Sequence, residues 1–99
     1  MEKRVAHYSL DLVKKLIKKE HYRITGSAYR DSVRLGFDED DILEVVLQLS
    51  SKELHKSMTT YHNVKIWQDV YYTHRCGVKL YVKLQINEDV IIISFKERT

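Results

Sequence analysis

The sequence predicts an α+β fold in which N-terminal helices pack on a largely antiparallel C-terminal sheet. In the first half, apolar side chains recur at the three- and four-residue spacing of amphipathic helices. From His62 onward they alternate with polar side chains, as they do in strands. Helices followed by strands are typical of the α+β class. The 99 residues are enough for one domain, which we expect to span residues 1–99.

Composition excludes several classes of protein. No apolar run approaches the roughly 20 residues that a membrane-spanning helix needs. The N-terminus is charged and lacks the apolar segment of a signal peptide. Cys76 is the single cysteine, so it forms no internal disulfide. We therefore expect a cytoplasmic protein without membrane contact.

Charge is unevenly distributed along the chain. Residues 1–37 carry nine Lys/Arg against four Asp/Glu, residues 38–53 carry one against six, and residues 54–99 carry seven against four. The net charge of +3 and the pI near 9.0 fit a polyanionic partner such as nucleic acid, but a well-mixed surface charge is an equally simple interpretation.

The first helix is predicted to begin after Ser9, a typical N-cap, with Asp11 in its first turn. Its apolar residues share one face: Leu10, Val13, Leu16 and Ile17. Four lysines lie mostly off that face: Lys14, Lys15, Lys18 and Lys19. A solvated surface is the simpler interpretation of these lysines, and a guide for RNA phosphates is the functional one.

Two further helices follow a short connector or brief strand at Tyr22–Thr25. The second helix is predicted over Ser27–Leu35, with Ser27 as its cap and Gly36 as its stop. The third begins after Asp38. The acidic run Asp38–Asp41 indicates helix capping rather than a metal site, because it lacks the residue order of a calcium loop.

Ser50 and Glu53 have the spacing of a capping box, which predicts a short fourth helix ending near Ser57. Three strands are then predicted: Ile66–Thr73, Val78–Ile86 and Val90–Lys96. Short connections at Arg75–Gly77 and Asn87–Asp89 predict an antiparallel meander. The last strand is apolar enough to lie inside the sheet.

Strand alternation places several polar side chains on one face. Tyr81 shares its face with Lys79 and Lys83. By the same alternation, Gln68 lies with Tyr72, and Lys96 lies with Ser94. If these strands present the same side, they form a basic, aromatic, concave surface. Lys56, at the end of the predicted fourth helix, could close over it.

A surface of this kind suits metal-free RNA cleavage. The 2′-hydroxyl must lose its proton, the phosphate must be stabilised, and the leaving 5′-oxygen must be protonated. Lysines supply charge stabilisation. Free Lys and Tyr titrate near pH 10 or above, and we expect clustered cations to lower one another's pKa and that of a nearby phenol.

Four stretches of the chain carry a specific resemblance: Lys56-Ser57-Met58-Thr59-Thr60-Tyr61, Ile66–Tyr71, Tyr81–Lys83 and Val90–Glu97. With them the chain resembles the motility quorum-sensing regulator family, MqsR, whose members are small bacterial toxins of toxin–antitoxin pairs. The resemblance is densest over Leu54–Glu97 and extends without gaps over the helical half.

The resemblance implies a RelE-like microbial ribonuclease fold and a ribosome-independent, metal-independent endoribonuclease that cleaves mRNA at sites containing GCU. The catalytic positions it implies are Lys56, Gln68, Tyr81 and Lys96. Substrate-binding positions are expected at Met58, Thr59, Thr60, Tyr61, Lys79 and Lys83. The implied roles place both catalytic lysines on the phosphate, the phenol as acid or base, and the glutamine as a substrate-positioning group. Trp67 and Asp69 also match the family motif.

The resemblance further implies the partners. They are mRNA and a cognate antitoxin with a zinc-binding N-terminal domain and a helix-turn-helix C-terminal domain. Operator DNA would be contacted only through that antitoxin, and no cofactor is expected. Two other functions fit the same surface: a module that binds RNA without cutting it, and a regulator that acts only through its protein partner.

Two segments depart from the family pattern. Tyr72–Arg75 stands where a loop bearing arginine and proline is expected, and Glu88 stands where relatives can carry histidine. Both changes bear on sequence preference and substrate grip rather than on the four catalytic positions.

Histidines offer a rival acid–base mechanism. His55, His62 and His74 lie near the site stretch, and the last two are predicted in loops. Their spacing marks no site, so the Lys/Tyr interpretation ranks above them. A metal site is disfavoured, because the chain has one cysteine and no closely paired histidines. Trp67 is interpreted first as a core anchor and second as a base-stacking residue.

Overall fold

Most helical structure precedes most of the sheet in the computed structural model, which describes residues 1–99. The helices are α1 (Leu10–Lys18), α2 (Gly26–Arg34) and α3 (Glu39–Leu47), followed by a 3-10 turn at Ser51–Glu53. The strands are β1 (Glu2–Lys3), β2 (Tyr22–Ile24), β3 (Leu54–Thr59), β4 (Trp67–Arg75), β5 (Val78–Asn87) and β6 (Asp89–Glu97). None of the helices is long and apolar enough to cross a membrane.

The six strands form one sheet in the order β1-β3-β4-β5-β6-β2. Strands β3 to β6 are a continuous antiparallel meander. Strand β1 adds antiparallel to β3, and β2 adds parallel to β6. The predicted α+β class is confirmed, and the arrangement is consistent with a RelE-like fold. Strand β6 is bonded on both sides, as its apolar sequence predicted.

Helices cover only one face of this sheet. The strands contribute the following residues to the apolar core: Tyr71, Leu80, Val82, Leu84, Val90, Ile92 and Phe95. The helices and their connections contribute Val13, Ile17, Ala28, Phe37, Ile42, Val45, Val46 and Leu49. Because successive strand residues point to opposite sides, the residues between these core positions project from the other face. We call that helix-free side the open face; it carries Lys56, Tyr72, Tyr81, Lys83 and Lys96.

The helix ends follow the sequence signals with one correction. Ser9 and Asp38 cap α1 and α3, and the latter shares a capping box with Asp41, which confirms the capping interpretation of the acidic run. Gly36 has a φ of +87°, as a helix-terminating glycine should. The second helix is capped by Thr25 rather than Ser27. The Thr25 hydroxyl accepts from the Ala28 N–H and donates to the Ile93 carbonyl, so it ties α2 to β6.

The predicted fourth helix is wrong. The capping box of Ser50 and Glu53 forms, but it supports only one 3-10 turn before the chain extends into β3. Pairing with β4 and β1 on its two sides outweighs the local helical signal. Lys56 therefore lies in a strand and not at the end of a helix.

Strand β1 was not predicted, because two residues carry no periodic signal. Its position is fixed by the segment that follows it. The buried Asp69 carboxylate accepts the backbone N–H groups of His7 and Tyr8 at 3.0 and 2.9 Å. Trp67 is half-buried on the helix side of the sheet. Its ring stacks on that of His7, with centroids 5.4 Å apart, and the Lys3 ammonium lies 4.2 Å from the centre of the Trp67 ring. These contacts make Trp67 an anchor for the N-terminal segment.

Both predicted hairpins are present. Cys76 and Gly77 join β4 to β5 with φ of +52° and +77°, the backbone of a type I′ turn. Glu88 joins β5 to β6 with φ of +66°. Strand β4 runs to Arg75, past its predicted end at Thr73. His74 is accordingly a strand residue, not a loop residue.

Candidate active site

Three neighbouring strands place one row of side chains across the open face. Tyr72 of β4 is opposite Tyr81 of β5, which is opposite Lys96 of β6. The two phenol rings have centroids 6.0 Å apart. The Lys96 ammonium lies 4.9 Å from the centre of the Tyr81 ring, and the Lys83 ammonium lies 5.8 Å from it. The row therefore combines phenols with mobile cations.

Lys56 joins this cluster from β3. Its ammonium forms an ion pair with the Glu2 carboxylate of β1 at 2.7 Å. This hydrogen bond raises the pKa of Lys56 and lowers that of Glu2. Lys56 is consequently a fixed positive charge at neutral pH, suited to hold a phosphate rather than to remove a proton.

The pKa of Tyr81 differs from the sequence-based expectation. Burial raises it, and the opposing effect of the Lys56 charge does not compensate. The phenol therefore keeps its proton at neutral pH, so it can donate a proton but cannot accept one. The Lys56 charge does lower the pKa of this phenol, as expected, but burial outweighs it and the net direction is upward.

Lys83 behaves as clustered cations should. Burial lowers its pKa first, and the charges of Lys96 and Lys56 lower it further. The expected lowering by neighbouring cations is therefore seen at Lys83, whereas at Lys56 the hydrogen bond to Glu2 raises the pKa instead.

The site opens into a surface groove beside the C-terminal end of β6. The groove has a volume of about 430 Å³ and is lined by Tyr72, Tyr81, Lys96, Glu97, Arg98 and Thr99. The Arg98 guanidinium lies 4.4 Å from the centre of the Tyr72 ring and is held by the Leu80 carbonyl. A groove with aromatic walls and cations at its rim can take an extended polyanion with unstacked bases.

Gln68 is on the open face but apart from the cluster. It lies four residues from Tyr72 along β4, roughly 13 Å at the usual rise of a strand. Its amide donates to the Gln85 side chain at 2.9 Å, and Met58 is its partner on β3. Gln68 and Met58 can therefore meet a neighbouring part of a long substrate.

The remaining positions expected to bind substrate are scattered. Thr59 is buried, and its hydroxyl accepts from the Met1 ammonium at 3.0 Å. Thr60 organises the following loop through two hydrogen bonds with Asn63. Tyr61 is 96% exposed in that loop. Lys79 lies on the open face at the far end of β5, opposite His74.

Sequence reasoning missed Glu2, Tyr72 and Arg98 as parts of the site. Glu2 is 54 positions from its partner Lys56, so no local pattern connects the two residues. Tyr72 was placed on the polar face but was assigned to an atypical loop. Arg98 lies just beyond the last strand, where periodicity carries no information.

The three site-proximal histidines have different environments. The His55 ring is stacked on Tyr72, with centroids 4.0 Å apart and planes inclined by 9°. His62 packs edge-on against Tyr61 in the exposed loop. His74 is exposed near the end of β4. Only His55 is in contact with the central row of the open face.

The fold and the site define a small α+β protein whose helix-backed sheet presents cations and phenols suited to binding a polyanion. Comparison with known proteins gives the family. The sequence model described as "Motility quorum-sensing regulator, toxin of MqsA" matches residues 5–97. The chain is 43% identical over 98 residues to a protein of Escherichia coli strain K12 named "mRNA interferase toxin MqsR", covering 99% of this chain and all of the relative. The chain belongs to the motility quorum-sensing regulator family of toxins.

Proposed function

We propose that this protein is the toxin of a toxin–antitoxin pair and inhibits translation as an endoribonuclease that cuts mRNA. The observation that carries the proposal is the convergence of Lys56, Tyr81 and Lys96 on the open face of the sheet. Membership in a toxin family supports it, as does the name of the 43% identical relative. Because mRNA is the substrate, the site of action is the cytoplasm.

The cations act on the scissile phosphate. When RNA displaces Glu2 from Lys56, the freed ammonium and that of Lys96 stabilise the negative charge that grows on the phosphoryl oxygens. Lys83 adds charge to the same surface. Because these groups project from the same open face, Lys56 and Lys83 at one register position and Lys96 at another, the chain's own side chains can supply the charge stabilisation. We propose that cleavage requires no metal.

Tyr81 acts as the general acid. As the 2′-oxygen attacks phosphorus, the bond to the 5′-oxygen breaks, and that oxygen takes the phenolic proton. The raised pKa of Tyr81 keeps this proton in place at neutral pH until the leaving group needs it. The products are a 2′,3′-cyclic phosphate and a 5′-hydroxyl. Gln68 positions a neighbouring part of the RNA, and the groove receives an unstacked base.

The finer features follow from the resemblance. We propose cleavage at sites containing GCU, independently of the ribosome. We also propose control by a cognate antitoxin that binds zinc, carries a helix-turn-helix and contacts operator DNA on behalf of the pair. The family description as the toxin of MqsA supports the existence of such a partner.

The decisive experiment uses purified protein, a defined RNA containing GCU and control triplets, excess EDTA and no ribosomes. Fragment mapping and end-group analysis are expected to give cuts at GCU with cyclic or 3′-phosphate and 5′-hydroxyl ends. Lys56→Ala and Lys96→Ala variants should remain folded and lose cleavage.

Other outcomes would contradict the proposal in separate ways. Intact RNA that nevertheless stays bound to folded protein would favour a non-catalytic RNA-binding role. Cleavage that occurs only after ribosomes are added would support the nuclease activity and contradict its independence of the ribosome. Unfolding of both lysine variants would make these residues structural and leave the site wrongly assigned.

A further inference from the structure

The proposed mechanism has a proton donor but no proton acceptor. Tyr81 is protonated, and Lys56 is held as a cation by Glu2. Removal of the 2′-hydroxyl proton therefore requires another group on the open face. The position of His55, next to Lys56 in the chain, supplies one.

A β-bulge brings His55 to the open face. The register between β3 and β4 shifts between Leu54, which is opposite Tyr71, and Lys56, which is opposite Val70. In a regular strand His55 and Lys56 would point to opposite faces. The extra residue re-aims the chain, so that His55 stacks on Tyr72 while Lys56 also projects from the open face. Bulges often re-aim side chains beside active sites.

The ring of His55 is held in place. It lies parallel to the Tyr72 ring, with 4.0 Å between their centroids, and its backbone carbonyl accepts from the Arg4 guanidinium at 3.0 Å. The ring centroids of Tyr72 and Tyr81 are 6.0 Å apart. The stacked His55 ring therefore lies one aromatic ring away from Tyr81, the proposed acid. His55 and Tyr81 therefore border the same part of the open face from the two sides of Tyr72.

We propose that His55 is the general base for RNA cleavage, positioned by stacking on Tyr72. A neutral imidazole nitrogen takes the proton of the 2′-hydroxyl as the 2′-oxygen bonds to phosphorus. The phosphorus bond to the 5′-oxygen breaks, and Tyr81 protonates the departing oxygen. Solvent then returns a proton to the phenolate and removes one from the imidazolium, which restores both groups. This inference rests on the proposed function and adds a residue to its site.

The electrostatic surroundings agree with this role. Burial lowers the pKa of His55 first, and the charges of Arg4, Lys56 and Arg98 lower it further, against a smaller opposing effect of Glu2. The ring packed against it is that of Tyr72. His55 is therefore mostly neutral at pH 7 and available to accept a proton.

The test compares His55→Phe, which keeps a ring for stacking on Tyr72, with His74→Phe, which removes an exposed histidine from the same strand face. Single-turnover cleavage is measured against pH. We expect His55→Phe to lower kcat at neutral pH by about 10²–10⁴-fold with little change in KM, and to lose the acidic limb of the profile. His74→Phe should retain both. Added imidazole should restore part of the activity of His55→Ala.

Several results would overturn the assignment. One is a His55→Phe enzyme with wild-type kcat and an intact acidic limb. Another is a variant that raises KM alone, which would make His55 a binding residue. If His55→Phe and His55→Ala both fail to fold, the pH profile of cleavage by the wild-type protein tests the inference instead. The inference requires that activity falls at acidic pH with a pKa below 6.5. A wild-type protein that leaves RNA intact would contradict the proposed function itself. If the wild type cleaves RNA and the His55→Phe variant cleaves it equally well, only the inference about His55 is contradicted.

Discussion

Tyr81 is the residue whose chemistry depends most on its surroundings. The ammonium groups of Lys96 and Lys83 lie near its ring, and Tyr72 packs beside it. The charge of Lys56, on strand β3, also affects its pKa. The nearby charge of Lys56 favours the phenolate, the form that can accept a proton. Burial outweighs it and favours the protonated phenol, the form that can donate, because the phenolate would be poorly solvated there.

Tyr81→Phe isolates that role, because it removes the hydroxyl and keeps the ring that contacts Lys96. We expect kcat for cleavage at neutral pH to fall by about 10²–10⁴-fold, the usual contribution of a positioned acid, while RNA affinity changes little. Tyr29→Phe, on the exposed surface of α2, is the matched control and should be fully active. A Tyr81→Phe enzyme as active as this control would remove Tyr81 from the proton pathway.

In the proposed mechanism, Glu2 competes with RNA for Lys56. Glu2→Gln keeps the shape of the side chain but removes the charge that pairs with the ammonium at 2.7 Å and repels phosphate. We expect tighter binding of an RNA blocked against cleavage by 2′-O-methylation, measured by fluorescence anisotropy. Glu44→Gln makes the same charge change on exposed α3 and should have a smaller effect. Equal RNA affinity of the Glu2→Gln and Glu44→Gln variants would show that Glu2 does not compete with RNA for Lys56.

At the scale of elements, one carboxylate joins the N-terminal segment to the sheet. Asp69 is 1% exposed and faces the helix side of β4, where it accepts two backbone N–H groups. The segment it holds includes the strand that presents Glu2 to Lys56. Its match to the family motif is thus explained by architecture rather than by contact with substrate.

Asp69→Ala should destabilise the fold, because the partly buried N–H groups of His7 and Tyr8 lose their acceptor. At roughly 1–3 kcal/mol for each unsatisfied group, we expect a loss of about 2–6 kcal/mol in the free energy of unfolding, measured by urea denaturation. Asp40→Ala, which removes an exposed carboxylate from the first turn of α3, should cost no more than about 1 kcal/mol. Similar losses in the two variants would show that Asp69 does not anchor the segment.

The strand pattern explains how much of the site could be read from the sequence. Period-two alternation placed Tyr81 with Lys83 and Lys96 with Ser94, and the structure puts both pairs on one face. The alternation is reliable there because the pairing of β5 with β6 is regular from Leu80 to Lys83 and shifts only after Lys83. It could not place Lys56 and His55, since a capping box favoured helix and the bulge breaks the alternation. The Glu2 ion pair depends on a two-residue strand whose partner is remote in sequence.

At the scale of the molecule, the two faces of the sheet have separate tasks. Helices and the apolar core occupy one face, and the cations of the site occupy the other. The exposed lysines of α1 therefore belong to the side away from the proposed RNA path. This separation favours the solvated-surface interpretation of Lys18 and Lys19.

Salt dependence of RNA binding tests the separation. Four cations surround the open-face row: Lys56, Lys83, Lys96 and Arg98. If each neutralises one phosphate of single-stranded RNA, a plot of log affinity against log salt should have a slope of about −3. Lys96→Gln should reduce the slope by about 0.7, and a Lys18→Gln, Lys19→Gln double variant should leave it unchanged. An equal reduction by the α1 variant would place RNA on both sides of the protein.

The position of the first residue has a practical consequence for protein engineering. The Met1 ammonium is bonded to Thr59, and the next residue touches Lys56. A purification tag or fluorescent dye joined to this ammonium would convert it into an amide and lie next to the Glu2–Lys56 pair of the proposed site. Activity measured on such a fusion would describe the fusion rather than the toxin. The exposed thiol of Cys76, in the turn between β4 and β5, offers an attachment point that leaves the amino end intact.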